Sequence, residues 1–383
     1  MQKLFYIGLI GLTLFEILNV YFIMPMPGSQ RMDSIDLAYF LYSYRWYFRI
    51  TFVLLALIGS LHAFQTRKKW LPGLVLVVAL AVTYVFNFRM TADHMFLQPE
   101  IITFHTRGEN TLSDSTVVIT VTQNNEAKAY PLRYIVYHHQ VRDTIGGKAI
   151  MVTYCSVCRT GRVFEPLVNN KPEVFRLVGM DHFNAMFEDA STRSWWRQAT
   201  GEAVTGPLKG HVLPEIESQQ LTLGKFFFLH PFGKVMQAET TSLPRYDTLG
   251  KFEYGKSKSK LTGTDSVSWN DKSWVVGLTI GNQSKAYDWN ELKHAKLIHD
   301  SLGTVPVLLV LASDGQSFAA FRRNAHNERF VIRNDSLISD THYYDFAGRS
   351  MDGAPLQAIT VYQEFWHSWK TFHPETLIYQ SQY

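Results

Sequence analysis

Cysteine is the scarcest chemistry in this chain: 383 residues contain two, Cys155 and Cys158. That excludes a disulfide scaffold, and it excludes a four-cysteine zinc site built by one chain. Charge of one sign is lacking too. A formal net charge of +4 is small for this length and gives no warrant for nucleic-acid binding. No Gly-rich phosphate loop and no Gly-x-Ser-x-Gly elbow occurs, so neither a nucleotide nor a serine hydrolase is expected. Arg159 stands where a Cys-x-x-Cys-His attachment needs histidine, which excludes covalent haem.

Long apolar runs are present, and all lie at one end. "LFYIGLIGLTLFEILNVYFIM", "WYFRITFVLLALIGSLHAF" and "WLPGLVLVVALAVTYVFNF" span residues 4–24, 46–64 and 70–88. Each is long enough to cross roughly 30 Å of hydrocarbon as a helix. The pattern predicts a membrane anchor over residues 1–90 with three transmembrane helices and the lipid bilayer as a partner. Arg67, Lys68 and Lys69 stand in the short loop between the second and third runs with no acidic neighbour. The positive-inside rule makes that loop and the N-terminus cytoplasmic, and residues after about Arg89 periplasmic or extracellular. Glu16 and Asn19, one turn apart on the first run, point to a hydrogen bond between helices.

The remainder reads as one α+β fold written twice: 91–244 with the cysteines, a connector over 245–274, and 275–383 without them. "EAKAYPLRYIVYHHQVRDTIGGKAIMVTYCSVCRTGRVFE" and "QSKAYDWNELKHAKLIHDSLGTVPVLLVLASDGQSFAAF" share a Lys-Ala-Tyr strand, a helix, an Asp-x-hydrophobic-Gly turn and two more strands. His230-Pro231 answers His373-Pro374, which assigns both histidines to closing a helix before proline. Each "STVVITVTQ"-like strand precedes its Lys-Ala-Tyr. "STRSWWRQATG" and "GEAVTGPLKG" align with "SDTHYYDFAG" and "GRSMDGAPLQ". The turn "LASDGQSF" replaces the cysteine turn, and "VGMDHFNAMFED" has no partner in the second copy. A feature found in one copy only is free to serve function. This asymmetry collects Cys155, Cys158, Asp181, His182, Asn184, Trp196 and Gln198. His138-His139 is read as a solvated helix face, and "YGKSKSKLTGTDS" (Tyr254 to Ser266), with four lysines counting Lys251, as a solvated connector.

Cys-x-x-Cys between two strands suits a metal, because two sulfurs and several turn amides face one point. Zinc needs further ligands, copper(I) fewer. His182 is the third metal ligand expected, with Asp181 behind it. Asn184, Arg159, Trp196 and Gln198 are expected to line the cavity or its second shell. Dithiol exchange is the rival chemistry, aided by the charge of Arg159 but not by a helix start. A structural disulfide in an oxidising compartment, or a pair of inert thiols, is the plain alternative.

"VTYCSVCRTGRVF" followed by "DASTRSWWRQATGEAVTGPLKG" resembles the bacterial domain-of-unknown-function family numbered three-one-seven-nine, over roughly residues 120–383. Arg159 departs from the glycine common there, and the membrane spans are an addition that many members lack. The resemblance implies no particular activity, and whether the protein is an enzyme stays open. The expectation is thus a bacterial inner-membrane protein with an exported metal-binding or redox centre, holding a zinc or copper ion and meeting a periplasmic or membrane partner. Its rival is a non-catalytic scaffold module whose cysteines form a staple.

Overall fold

The computed structural model describes residues 1–339, 342–350 and 352–380. Asp340, Thr341 and Met351, within the aligned stretches of the second copy, lie outside the described residues. The chain divides into two compact units that do not follow chain order. The first takes residues 1–97, 173–197 and 202–212; the second takes 98–172, 198–201 and 213–383.

In the first unit four helices open the chain: α1 (Gln2–Tyr21), α2 (Ile35–Ser43), α3 (Arg45–Phe64) and α4 (Trp70–Tyr84). α1, α3 and the span Trp70–Arg89 are long and apolar enough to cross a membrane. Glycine lets α1 and α3 touch: a Cβ on Gly59 would lie 2.3 Å from the Phe5 amide nitrogen, and one on Gly8 2.5 Å from the Phe52 carbonyl. Close backbone approach through small residues is how apolar helices gain packing in lipid. Glu16 is buried here, accepting from Arg49 at 2.7 and 2.9 Å and from Asn87 at 2.9 Å. Asn87 belongs to a π-helical turn, Val85–Arg89, that follows α4. The hydrogen bond expected at Glu16 is therefore a three-helix polar cluster.

The stretch "VGMDHFNAMFED" supplies an edge strand and its inner neighbour in a four-stranded antiparallel sheet of this unit. Its strands are Phe175–Asp181, Asn184–Asp189, Trp195–Arg197 and Ala203–Thr205. Val178, Met186, Trp195 and Val204 pack on Ile23 and Ala38, with Ile35, Tyr39 and Tyr42 around them. Gly179 is required there, since a Cβ would sit 2.2 Å from the Ile23 carbonyl oxygen. That sheet is not without a counterpart in element type. Phe330–Arg333 and Ser336–Ser339, in the second unit, form a shorter hairpin with the same two positive-φ residues at its turn.

In the second unit two stretches run in the same order of elements. Val117–Gln123, Glu126–Pro131, helix Leu132–His138, Gln140–Ile145, Lys148–Cys155 and Thr160–Phe164 make one. Trp274–Ile280, Gln283–Asp288, helix Trp289–Ala295, Leu297–Leu302, Val305–Leu311 and Phe318–Arg322 make the other. The Lys-Ala-Tyr motif has a physical explanation. Lys128 Nζ and Tyr130 Oη both reach Asp143 at 2.8 Å; Lys285 and Tyr287 reach Asp300 at 2.6 and 2.9 Å. Strand and turn are thereby tied by one carboxylate in each stretch. Residues His230 and His373 cap the helices Leu223–Leu229 and Trp366–Phe372. The apolar run "VPVLLVL" is buried on both faces: Leu308 and Val310 enter one core with Val118 and Phe226, while Val307, Leu309 and Leu311 enter another with Val276. His138 and His139 are not solvated. Both are buried, His138 Nε2 lies 2.5 Å from Tyr246 Oη, and His139 ends its helix at φ 61°.

Candidate functional site

β1 (Lys148–Cys155) and β2 (Thr160–Phe164) form an antiparallel hairpin in which Cys155 faces Thr160. Alternating apolar residues and a β-branched run make these strands, and the four-residue turn between them carries Cys158 and Arg159. Gly161 opens room for Ile119, whose Cδ1 would lie 2.4 Å from an added Cβ. Gln198 Nε2 crosses the hairpin, donating to Thr153 Oγ1 at 3.0 Å and to the Thr160 carbonyl at 3.1 Å. Cys155 and Cys158 are 0% exposed and are not joined by a disulfide.

Arg159 takes a left-handed φ of 55° and buries its guanidinium. It donates to Gln363 Oε1 at 3.0 Å, the Phe252 carbonyl at 3.0 Å and the Glu253 carbonyl at 2.9 Å. The Trp274 ring lies beneath it at 3.6 Å. Burial lowers its pKa to about 10, so it stays charged at neutral pH. Lys272 Nζ donates to the carbonyl of Val157, the second of the two residues between the cysteines, at 2.7 Å, and to the Leu261 carbonyl at 2.6 Å. His367 Nε2 lies 3.1 Å from that same Val157 carbonyl and 3.2 Å from Lys272 Nζ. Burial lowers the Lys272 pKa while the two thiols pull it back up. His367 falls to about 4, through burial first and the Lys272 charge second, and is neutral at physiological pH. Beside this cluster Arg162 and Glu364 form a buried pair at 2.6 Å, shared with Thr160 and Ser368.

The residues expected around the cysteines are divided between the units. Gln198 and Arg159 belong to the second, with the thiols; Asp181, His182, Asn184 and Trp196 belong to the first. Trp196 Nε1 donates to Asp189, and Asn184 is buried where it pairs with Asp181 across the hairpin. His182 is held by carboxylates, Nδ1 at 2.7 Å from Asp181 and Nε2 at 3.2 Å from Asp33. Arg197 holds the other Asp181 oxygen at 2.6 Å. Among the described residues no group of three or more His, Cys, Asp or Glu side chains is arranged to hold a metal ion. Lys272 and His367 escaped notice in the sequence for different reasons. Lys272 lies in the 245–274 connector, past the lysine-rich stretch and in no motif. His367 was passed over beside His373, although the shared helix aligns it with Gly224, a signal that was there to read.

The Asp181 hydrogen bond, foremost, raises the His182 pKa above its ordinary value despite partial burial. Its contribution to stability is complete below the unfolded pKa of about 6.5 and is lost as pH rises through the raised folded value. Thermal unfolding of the full chain between pH 5 and 9 should show that loss, and His182→Gln should flatten it. An unchanged pH profile in the variant would assign the slope elsewhere.

The family model described as protein of unknown function (DUF3179) matches residues 97–376. No curated protein matches the chain, and no solved structure does.

Proposed function

We propose a dithiol redox function for this chain, which belongs to the DUF3179 family of proteins of unknown function. The observation that carries it is a pair of fully buried thiols three residues apart, whose turn is held by two cations, Lys272 at the Val157 carbonyl and Arg159 at the Phe252 and Glu253 carbonyls. The cations favour thiolate, against the burial that opposes it, and thiolate is the form that does sulfur chemistry. Formation of the S–S bond releases two electrons to a small disulfide oxidant and two protons to solvent. Because neither sulfur is exposed, the oxidant, small or protein, reaches them only when the turn opens.

The full chain in detergent should cycle between two thiols and none as the glutathione ratio is varied, with thiols trapped by acid and counted by mass. Sulfurs that stay reduced in every buffer would leave them inert packing and end this reading. A second reading rests on the same two sulfurs: copper(I) is satisfied by two thiolates, whereas zinc prefers four donors. Copper that co-purifies in equimolar amount and blocks oxidation would favour it.

The near-identical order of elements in the two stretches of the second unit supports a duplication, with the cysteine turn confined to the first copy. The charges of Arg67, Lys68 and Lys69 support a cytoplasmic loop between α3 and α4, and hence an exported thiol unit in the bacterial envelope. A reporter fused after Arg89 should be active only outside the cytoplasm, and one placed at Lys68 only inside. The reverse pattern would put the thiols in a reducing compartment.

A further inference from the structure

We propose that Lys272, positioned by His367, is the cation that stabilises the reduced Cys155–Cys158 pair, so that the later half of the chain sets the reactivity of thiols carried by the earlier half. The inference rests on the dithiol reading and adds to it the residues that tune the couple.

Geometry separates Lys272 from the other cation nearby. Arg159 has its guanidinium committed to Gln363, two main-chain carbonyls and the face of Trp274. That arrangement locks the turn to its surroundings. Lys272 instead grips the carbonyl inside the Cys-x-x-Cys loop, at Val157. An ammonium has three hydrogens. Two go to Val157 and Leu261, and His367 Nε2 stands where the third points or where it competes for Val157. In the tautomer with hydrogen on Nδ1, His367 accepts from Lys272. In the other, His367 donates to Val157 and no longer accepts from the ammonium. Burial keeps His367 neutral in both, so it supports the ammonium without repelling it as a second cation would.

The second hairpin provides an internal comparison. Lys272 lies two residues before strand Trp274–Ile280, and Ser115 two residues before strand Val117–Gln123. His367 and Gly224 are each second in their seven-residue helices. Ser115 and Gly224 line one cleft with Ser313, Asp314 and Gln316 of the cysteine-free turn. The place equivalent to the thiol cluster thus exists without thiols and with serine and glycine at the positions of Lys272 and His367; its own lysine, Lys225, comes from a different position and is paired with Asp335. A lysine gripping the turn carbonyl and a histidine beside it accompany the sulfurs, whereas the lysine of the cysteine-free cleft is bound to a carboxylate.

Other titratable groups belong to the same cluster, acting on the thiols or on Lys272 and Tyr154. Tyr154 comes from β1, Asp271 from the segment carrying Lys272, and Glu364 from the strand before His367. Glu364 is engaged by Arg162 and Asp271 by Lys370, at 2.6 and 2.8 Å. On oxidation the S–S bond forms, two electrons pass to the disulfide oxidant and the thiol protons pass to solvent. A cation that stabilises thiolate stabilises the reduced state, and so makes the couple more oxidising.

The test uses the full chain in detergent, reading thiolate by its ultraviolet absorbance against pH and the couple by its equilibrium with glutathione. Lys272→Met should raise the thiol midpoint by about one unit or more, the size expected for losing a nearby opposite charge. It should also move the glutathione equilibrium about tenfold toward the disulfide, while Lys272→Arg stays near the parent. His367→Leu should shift both readings in the same direction by less. Lys272→Gln, which keeps a donor for Val157 without the charge, decides the matter if the methionine variant does not fold. A parent that cycles while the Met and Gln variants match it in midpoint and equilibrium overturns the role of Lys272. A parent that does not cycle overturns the dithiol reading itself.

Discussion

Arg159→Ala is expected to be the most damaging single change in the cysteine-bearing unit, costing about 3–5 kcal/mol. The loss has three parts. Gln363 Oε1 and the carbonyls of Phe252 and Glu253 would be left buried without their donor. The cation over the Trp274 ring disappears. A space the size of a guanidinium opens among Phe252, Trp274 and β1. A thermal unfolding midpoint lower by roughly ten degrees follows from that energy for a unit of this size. Near-ultraviolet circular dichroism of the full chain is the measurement, because Trp274 reports directly on the vacated site. Arg159→Lys should recover only a fraction, since an ammonium cannot address three acceptors from one planar fork. A midpoint within about one degree of the parent would show that the turn is held by other contacts.

Arg49→Leu should be comparably costly in the first unit, and for a different reason. It strips the counter-charge from Glu16, which is 1% exposed in the helix bundle and then retains only Asn87. Removing one partner of a buried pair costs about 3–5 kcal/mol, whereas replacing both by apolar residues is often neutral. Glu16→Leu combined with Arg49→Leu should therefore restore most of what Arg49→Leu alone removes. The comparison is read as resistance of the bundle to SDS-driven unfolding. If the double variant is as fragile as the single one, the pair is not an independent unit. Asn87, placed by the π turn after α4, would then be the residue to examine.

Much of the architecture was legible because it rests on local signals. Three apolar runs give three long helices by length alone. Val, Ile and Thr around the cysteines make strands, as read. The Lys-Ala-Tyr and Asp-x-hydrophobic-Gly motifs stood out because one carboxylate must satisfy both, and that tie spans only about fifteen residues. What escaped depends on distance along the chain. Lys272 stands more than a hundred positions from Val157, and no periodicity connects them. His138 and His139 were misread because adjacent histidines at a helix end look solvated until a helix such as Leu243–Glu253 covers them. His182 looked like a ligand on account of its place in an unmatched segment. Its partners, Asp33 and Asp181, come from elements whose meeting follows from packing around Ile23 and Ala38.

The sheet formed by residues 173–212 in the first unit sets an order of events for biogenesis. α1 to α4 leave the ribosome early, yet Ile35, Ala38, Tyr39 and Tyr42 are covered only by residues that begin at Phe175. Between them the chain must first spell out most of the thiol hairpin. At ordinary synthesis rates the gap is on the order of ten seconds. For that interval the nascent anchor carries an aromatic face with nothing on it, a natural landing place for a chaperone. Cutting the gene after Arg89 would not give two finished halves, since the upstream piece lacks the strands that complete it.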